Sequence, residues 1–116
     1  MIDKVLTTST VLEYHYCWLA DSGASHHMHL HRSWFHTYQS VDDEIVYMEN
    51  NVTCKTVGIG SIKIKMYDGI VRTLTDVRHV PELRKNLISM GVLDDAGYKF
   101  AVQGGVMKIS KGILML

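Results

Sequence analysis

The sequence has little of several residue types that define special classes of protein. It carries one proline and two cysteines in 116 residues, and its 12 basic residues equal its 12 acidic residues. Two cysteines are too few for a disulfide framework, so Cys17 and Cys54 are interpreted as reduced thiols, with a single bridge between them as the alternative. No apolar run approaches the roughly 18 residues that cross a membrane, and the first residues lack the apolar core of a signal peptide. These absences favour an intracellular, cytoplasmic protein.

The lack of a charge surplus bears on partners. A module that binds nucleic acid usually carries an excess of Lys and Arg, and this chain has none. We therefore expect no direct contact with nucleic acid and no contact with a membrane. A content of 47% hydrophobic residues suits one globular domain with a modest core.

The patterns that are present indicate strands. Residues 61–67 alternate between apolar and polar side chains, and Asp68-Gly69 is a strong hairpin turn before a return strand at 70–77. Two further hairpins are predicted, with turns at 49–51 and 103–105. One helix is predicted over residues 87–96, ending at Gly97. Periodicity alone therefore supports a small β-barrel or β-sandwich with one short helix.

The most informative stretch follows Trp18, where an apolar strand end runs into Asp21-Ser22-Gly23-Ala24. This order places a carboxylate on a tight turn, and Gly23 would permit the unusual backbone that such a turn needs. Ser22 can hydrogen-bond beside the carboxylate, and Ala24 keeps the approach to it narrow. The same letters also fit an ordinary turn, since Asp, Ser and Gly are all turn formers.

The surroundings of this turn extend the pattern. The run Trp18-x-x-Asp21-Ser22-Gly23-Ala24-Ser25-x-His27-Met28 resembles the protease of copia-type retrotransposon polyproteins. Other stretches similar to that family are residues 54–60, 76–83, 86–89 and 104–112. The resemblance covers about residues 16–116, and its motifs are specific only in combination.

The resemblance implies an aspartic protease of the retropepsin type. Its fold would be all-β, a retropepsin-like acid-protease β-barrel with a flap hairpin and one short helix near the C-terminal end. The protease domain would span residues 16–116, of which about 98–116 lead toward the pre-integrase region. Residues 1–15 would be an N-terminal segment, either flexible or a strand at the edge of a dimer.

The number of catalytic carboxylates points to a dimer. Aspartic proteolysis uses two carboxylates that share one proton, and the sequence offers one Asp-Ser/Thr-Gly. We therefore expect a homodimer in which the paired Asp21 carboxylates activate a water. The expected substrate is a polypeptide, the Gag-Pol precursor, cut within a cytoplasmic virus-like particle and without a cofactor.

In this interpretation Asp21 is the catalytic residue. The residues that support its loop are Ser22, Gly23 and Ala24. The residues that pack beside the loop are Leu87, Ile88 and Ser89. Ser89 stands where retropepsins often carry a glycine.

A flap would close over the bound peptide and exclude water. The hairpin at about 44–57 is the candidate, and its tip comprises Met48, Glu49, Asn50, Asn51 and Val52. A rival tip is Gly58-Ile59-Gly60, which looks like a glycine-rich flap. In a plainer interpretation both are ordinary hairpin turns.

Two other functions remain open from the sequence. A retropepsin-fold domain that no longer cleaves could serve in dimerisation or binding, and it would look the same. The seven histidines permit a zinc-binding domain, because His27, His29 and His31 would share one face of a strand. The chain has no Cys-x-x-Cys motif, so we expect no metal site.

Overall fold

The computed structural model describes residues 5–6, 18–48, 51–65, 69–103 and 106–111. This part of the chain is mostly β-structure with one short helix, α1, at Met90–Asp95. The strands are β1 (Val5–Leu6), β2 (Trp18–Asp21), β3 (Met28–His29), β4 (Phe35–Tyr47), β5 (Thr53–Lys65), β6 (Val71–His79), β7 (Asn86–Ser89), β8 (Tyr98–Gln103) and β9 (Val106–Lys111). No helix within these ranges is long and apolar enough to cross a membrane.

The strands join into one sheet with the order β4-β5-β6-β3-β7-β2-β1-β9-β8. Three neighbouring pairs are parallel, namely β1 with β2, β2 with β7, and β3 with β6. Strands β4 and β8 are the two ends of this order in the described part of the chain. The predicted all-β character is confirmed in its coarser form, and closure into a retropepsin-like barrel stays a prediction.

The predicted alternation along residues 61–65 is confirmed. Ile62 and Ile64 are buried, whereas Lys63 and Lys65 are exposed, as expected when successive side chains point to opposite faces of a strand. The two isoleucines belong to the larger of two apolar clusters, which also contains Trp18 and Ile88. Phe35 is also a member of this cluster, and the aromatic residues that pack against the cluster are Trp34, Tyr38, Tyr98 and Phe100.

The rival flap tip at Gly58–Gly60 is wrong, because these residues form no turn. They lie inside β5, paired with β4 on one side and with β6 on the other. The glycines are needed because β4 crosses closely there. A Cβ on Gly58 would lie 2.1 Å from the Tyr38 ring, and one on Gly60 would lie 1.9 Å from the Thr37 carbonyl oxygen.

The predicted start of the helix, at residue 87, lies three residues before its observed start at Met90. Residues 86–89 form β7, with all four side chains buried, and α1 begins only at Met90. A spacing of three residues between Leu87, Met90 and Leu93 suggested one helix, but Leu87 belongs to a strand buried on both faces. The Ser89 side chain accepts a hydrogen bond from Val92 N–H and caps the helix at its start.

The hairpins predicted around 49–51, 68–69 and 103–105 are confirmed by their paired strands. Several predicted features lie outside the described residues: Cys17, Glu49, Asn50, residues 66–68, Gly104 and Gly105. Strand β1 pairs with β2 and β9 in this chain. The division at residue 15 and the role of residues 98–116 remain predictions.

Candidate active site

Asp21 stands at the point where a buried strand reaches the surface. Strand β2 begins with Trp18, which is fully buried, and ends with the half-buried Asp21. Its neighbour β7 runs parallel to it, and Asp21 is in register with Ser89. The apolar residues before Asp21 anchor β2 in the core, so a strand rather than a free loop carries the carboxylate.

The turn after β2 is open to solvent. Ser22, Gly23 and Ser25 are exposed, and the Gly23 N–H donates a hydrogen bond of 2.8 Å to Asp21 Oδ1. The prediction of an unusual backbone conformation at Gly23 is wrong. Among the described glycines, those with a positive φ are Gly69 and Gly97. A Cβ at Gly23 would lie 3.4 Å from Asp21 Oδ1, which is an ordinary van der Waals distance, so space beside the carboxylate does not require a glycine here.

A cleft of about 820 Å³ opens beside this turn. Three segments line it: the turn itself, the hairpin end of β4 and β5, and the stretch from Glu82 to Leu87. Arg84 and Lys85 line the cleft, together with Glu44 and Glu82. The Glu44 carboxylate is already paired, since Arg78 Nε donates to its Oε1 at 2.9 Å.

The hairpin end faces the same cleft as Asp21. Met48 and Val52 line the cleft, and the Met48 N–H donates to the Val52 carbonyl oxygen at 2.7 Å. Asn51 has a φ of 61°, a left-handed conformation that asparagine tolerates in turns. The described residues of the hairpin end expose large apolar side chains, with Tyr47 78% exposed. Its function as a flap stays a prediction.

Of the other predicted site residues, Ala24 lies in the cleft wall, as does Leu87. Ile88 is buried in the main apolar cluster, and Ser89 is fully buried next to Asp21 in register. The structure thus brings together the turn, the β7 residues and the hairpin end. Whether these residues carry out catalysis stays a prediction.

Sequence reasoning missed several residues of the cleft. Cys54 lines it as a free thiol, and burial together with the nearby Glu82 raises the pKa of that thiol. The Glu44–Arg78 ion pair joins β4 to β6 across 34 positions of sequence. The register of β4 and β5 pairs Val46 with Cys54, and nothing local in the sequence indicates that they line the same cleft as the Asp21 turn.

The histidines after the turn are structural in their contacts. His27 and His29 are buried, and each accepts a backbone N–H at its Nδ1, from Ser89 and His31 respectively. Burial lowers the pKa of His27 to about 4 and that of His29 to about 3, with a neighbouring histidine adding to each shift. Within the described ranges, no group of three or more His, Cys, Asp or Glu side chains could hold a metal ion.

The fold and the site together define a small, mostly β domain in which a half-buried aspartate meets a hairpin across a cleft. A family model described as the beta-barrel domain of the Pol polyprotein matches residues 18–98, from the start of β2 to the start of β8. The chain belongs to this family of Pol polyprotein beta-barrel domains.

One curated relative extends the similarity. The chain is 41% identical over 99 residues to a retrovirus-related Pol polyprotein from transposon TNT 1-94 of Nicotiana tabacum. The aligned part covers 85% of this chain and 8% of that polyprotein, so the chain spans a small fraction of its relative's length. No solved structure matches this chain. The retrotransposon origin expected from the sequence motifs is therefore confirmed at the level of the Pol polyprotein.

Proposed function

We propose that this domain is a homodimeric aspartic endopeptidase that cleaves a retrotransposon Gag-Pol polyprotein. The observation that carries the proposal is the position of Asp21. Its carboxylate ends a buried strand, accepts a hydrogen bond from the Gly23 N–H within its own turn, and opens onto a cleft of about 820 Å³. An accessible carboxylate on a rigid support is what general acid–base chemistry requires.

The chemistry needs a second carboxylate. Two copies of the chain related by a twofold axis would bring two Asp21 side chains together, and such a pair holds one proton because two adjacent negative charges repel. The ionised member takes a proton from a water that attacks the peptide carbonyl carbon. The protonated member donates to the carbonyl oxygen, and the pair later returns a proton to the leaving amine.

The substrate in this proposal is an extended polypeptide. Strand β4 lies at one end of the described sheet order, and its hairpin end lines the cleft. An extended peptide can add to such a strand through main-chain hydrogen bonds. Met48 and Val52, with the tip between them, would cover the peptide as a flap. We place the reaction in a cytoplasmic virus-like particle, with no cofactor and no direct nucleic-acid partner.

The test is cleavage of a Gag-Pol-derived polypeptide by the wild-type chain and by Asp21→Asn at pH 7, over a series of protein concentrations. We expect the wild-type rate to rise faster than linearly with concentration, because the active species is a dimer. Asp21→Asn should lower the rate by at least about a thousandfold, since it removes the group that activates water.

Circular dichroism of both proteins is the control that separates lost chemistry from lost folding. A folded wild-type chain that cleaves nothing at any concentration would overturn the proposal and favour a silent dimerisation or binding module. Cleavage that survives Asp21→Asn would place the chemistry elsewhere in the chain.

A further inference from the structure

One fully buried serine beneath the Asp21 turn joins three separate pieces of the chain. Ser89 Oγ donates a hydrogen bond of 2.6 Å to the Ala24 carbonyl oxygen and accepts one of 3.2 Å from the Val92 N–H. The Ser89 N–H in turn donates to His27 Nδ1 at 2.9 Å. The catalytic turn, the start of α1 and the segment after the turn therefore all meet at one residue.

Ser89 holds both ends of the turn that carries the carboxylate. At the first end, Asp21 is in register with Ser89 in the parallel pair of β2 and β7. At the other end, Ala24 is held by the Ser89 hydroxyl. The four residues from Asp21 to Ala24 thus span between two contacts with the same partner. The bond to Ala24 depends on the hydroxyl, so glycine or alanine at position 89 would keep the first contact and lose the second.

His27, in the segment that follows the turn, bonds to the backbone of Ser89. It is 2% exposed, and its Nδ1 carries no proton because it accepts the Ser89 N–H. Burial lowers the pKa of His27 to about 4, which keeps the ring neutral and able to accept at neutral pH. The His27 carbonyl oxygen accepts the Arg78 N–H at 2.9 Å, so the histidine is itself fixed to β6.

We propose that Ser89 is the positioning residue of the Asp21 turn and that His27 fixes Ser89 in the position from which it does so. The inference rests on the proposed proteolysis and adds to it the residues that aim the carboxylate. Ser89 acts through Ala24 and touches no substrate. Its loss should therefore change the rate of the chemical step far more than the binding of the peptide.

The first experiment compares Ser89→Ala with Ser61→Ala. Ser61 is a matched control, because it is also buried and its hydroxyl is bonded at 2.7 Å, to Thr37 Oγ1 rather than to the turn. We expect Ser89→Ala to lower kcat by about 10- to 100-fold with KM changed less than about twofold, since small misplacement of a catalytic group costs this much. Ser61→Ala should leave kcat and KM unchanged.

The second experiment replaces His27 by Asn and by Leu. An asparagine Oδ1 can accept the Ser89 N–H from nearly the position of the imidazole Nδ1, whereas leucine offers no acceptor. We expect His27→Asn to keep at least about half of the wild-type kcat and His27→Leu to fall to the level of Ser89→Ala. Equal loss in both variants would mean that His27 contributes packing alone, which would overturn its part of the proposal.

Amide hydrogen exchange of residues 22–25 gives a readout that needs no activity. In Ser89→Ala the Gly23 N–H, which bonds to Asp21 Oδ1, should exchange at least about tenfold faster, and in Ser61→Ala it should not. If the wild-type chain cleaves nothing, the proposed function fails and exchange alone still decides the positioning role. Unchanged exchange in a folded Ser89→Ala overturns the inference. If that variant does not fold, Ser89→Cys, which keeps the size and donates weakly, takes its place.

Discussion

The Asp21 turn and the histidines that follow it are neighbours in the sequence, yet their surroundings in the fold are opposite. The turn is largely exposed, and the hydrogen bond to Asp21 Oδ1 comes from Gly23 within the turn itself. His27 is buried, and its Nδ1 accepts the N–H of Ser89, which lies 62 positions away in the sequence. His79, from a later part of the chain, is buried in the same way. His79 accepts from the Tyr38 hydroxyl at 2.7 Å and donates to the Leu30 carbonyl oxygen at 3.2 Å.

Under the proposed function, this difference separates the group that reacts from groups that stabilise the fold. A carboxylate must be reachable by water and peptide, so a fold that uses it leaves it lightly bonded. A buried ring whose nitrogens have protein partners contributes to stability instead, because breaking those bonds leaves unsatisfied polar atoms. The number of titratable residues in a stretch therefore does not locate the reactive one. The following predictions test the separation, beginning with the largest expected change in stability.

Acid should lower the stability of the fold, because the buried His27 and His29 resist protonation. The pKa of His27 is lowered to about 4 and that of His29 to about 3, against about 6.5 in an unfolded chain. Below pH 6.5 the unfolded chain binds protons that the folded chain does not. Stability is therefore complete above pH 6.5 and falls by about 1.4 kcal/mol per pH unit for each histidine as the pH drops toward 4. Between pH 7 and pH 5 the loss should reach about 3 to 4 kcal/mol.

Urea unfolding at pH 7.5, 6 and 5 measures this loss. His27→Asn should flatten the pH dependence, because asparagine does not titrate. The matched control is His36→Asn, at an exposed histidine, which should leave the dependence unchanged. Equal midpoints for the wild-type chain at pH 7.5 and 5 would contradict the assignment of these histidines as buried and neutral.

Gly58→Ala should destabilise the packing around the buried His79, because Gly58 lies against the Tyr38 ring that bonds to this histidine. An added Cβ would lie 2.1 Å from the Tyr38 ring, so the ring must move and its bond to His79 is lost. We expect a loss of about 2 kcal/mol in the free energy of unfolding. Gly91→Ala is the control, because a Cβ at that helical glycine would lie 4.0 Å from Ser89 Oγ, an ordinary van der Waals distance. Alanine there should stabilise by up to about 1 kcal/mol. Losses of equal size in both variants would contradict the close approach.

Asp21→Asn should have the smallest effect on stability. Asparagine keeps an oxygen that can accept the Gly23 N–H, and the side chain is only half-buried. We expect the free energy of unfolding to change by less than about 0.5 kcal/mol, although the same substitution should abolish cleavage. A thermal melt of the pure protein measures the change. A loss above about 2 kcal/mol would mean that the turn is part of the stabilising interior after all.

Local features of the fold could be predicted where side-chain alternation or turn chemistry determines them. Ile62 and Ile64 follow from the period of a strand, and the turn at Asp21 follows from an apolar run that ends in Asp-Ser-Gly. The start of α1 could not be located, because Leu87 fits a helical spacing as well as a buried strand. Gly58 suggested a turn because the local sequence does not reveal that Tyr38 packs against it from another strand.

The site itself could be predicted only in part. The motif letters identify Asp21 and its turn, and the place of Ser89 was expected from the resemblance. The hydrogen bonds between Ser89, Ala24 and His27 depend on strand register, and register between distant segments is set by the whole fold. The Glu44–Arg78 ion pair could not be predicted for the same reason, because the sequence around each residue does not indicate its partner.

The distance along the chain between Ala24 and Ser89 has a consequence for synthesis. The two residues that form the hydrogen bond are 65 positions apart, so the turn emerges from a ribosome long before the residue that holds it. At roughly 5–20 residues per second this interval lasts about 3 to 13 seconds. Strand β2 waits through that interval without its neighbour β7, because β7 is not yet made. The nascent chain thus contains Asp21 several seconds before Ser89 is made, so the bonded turn can form only after the whole segment from β2 to β7 has been translated.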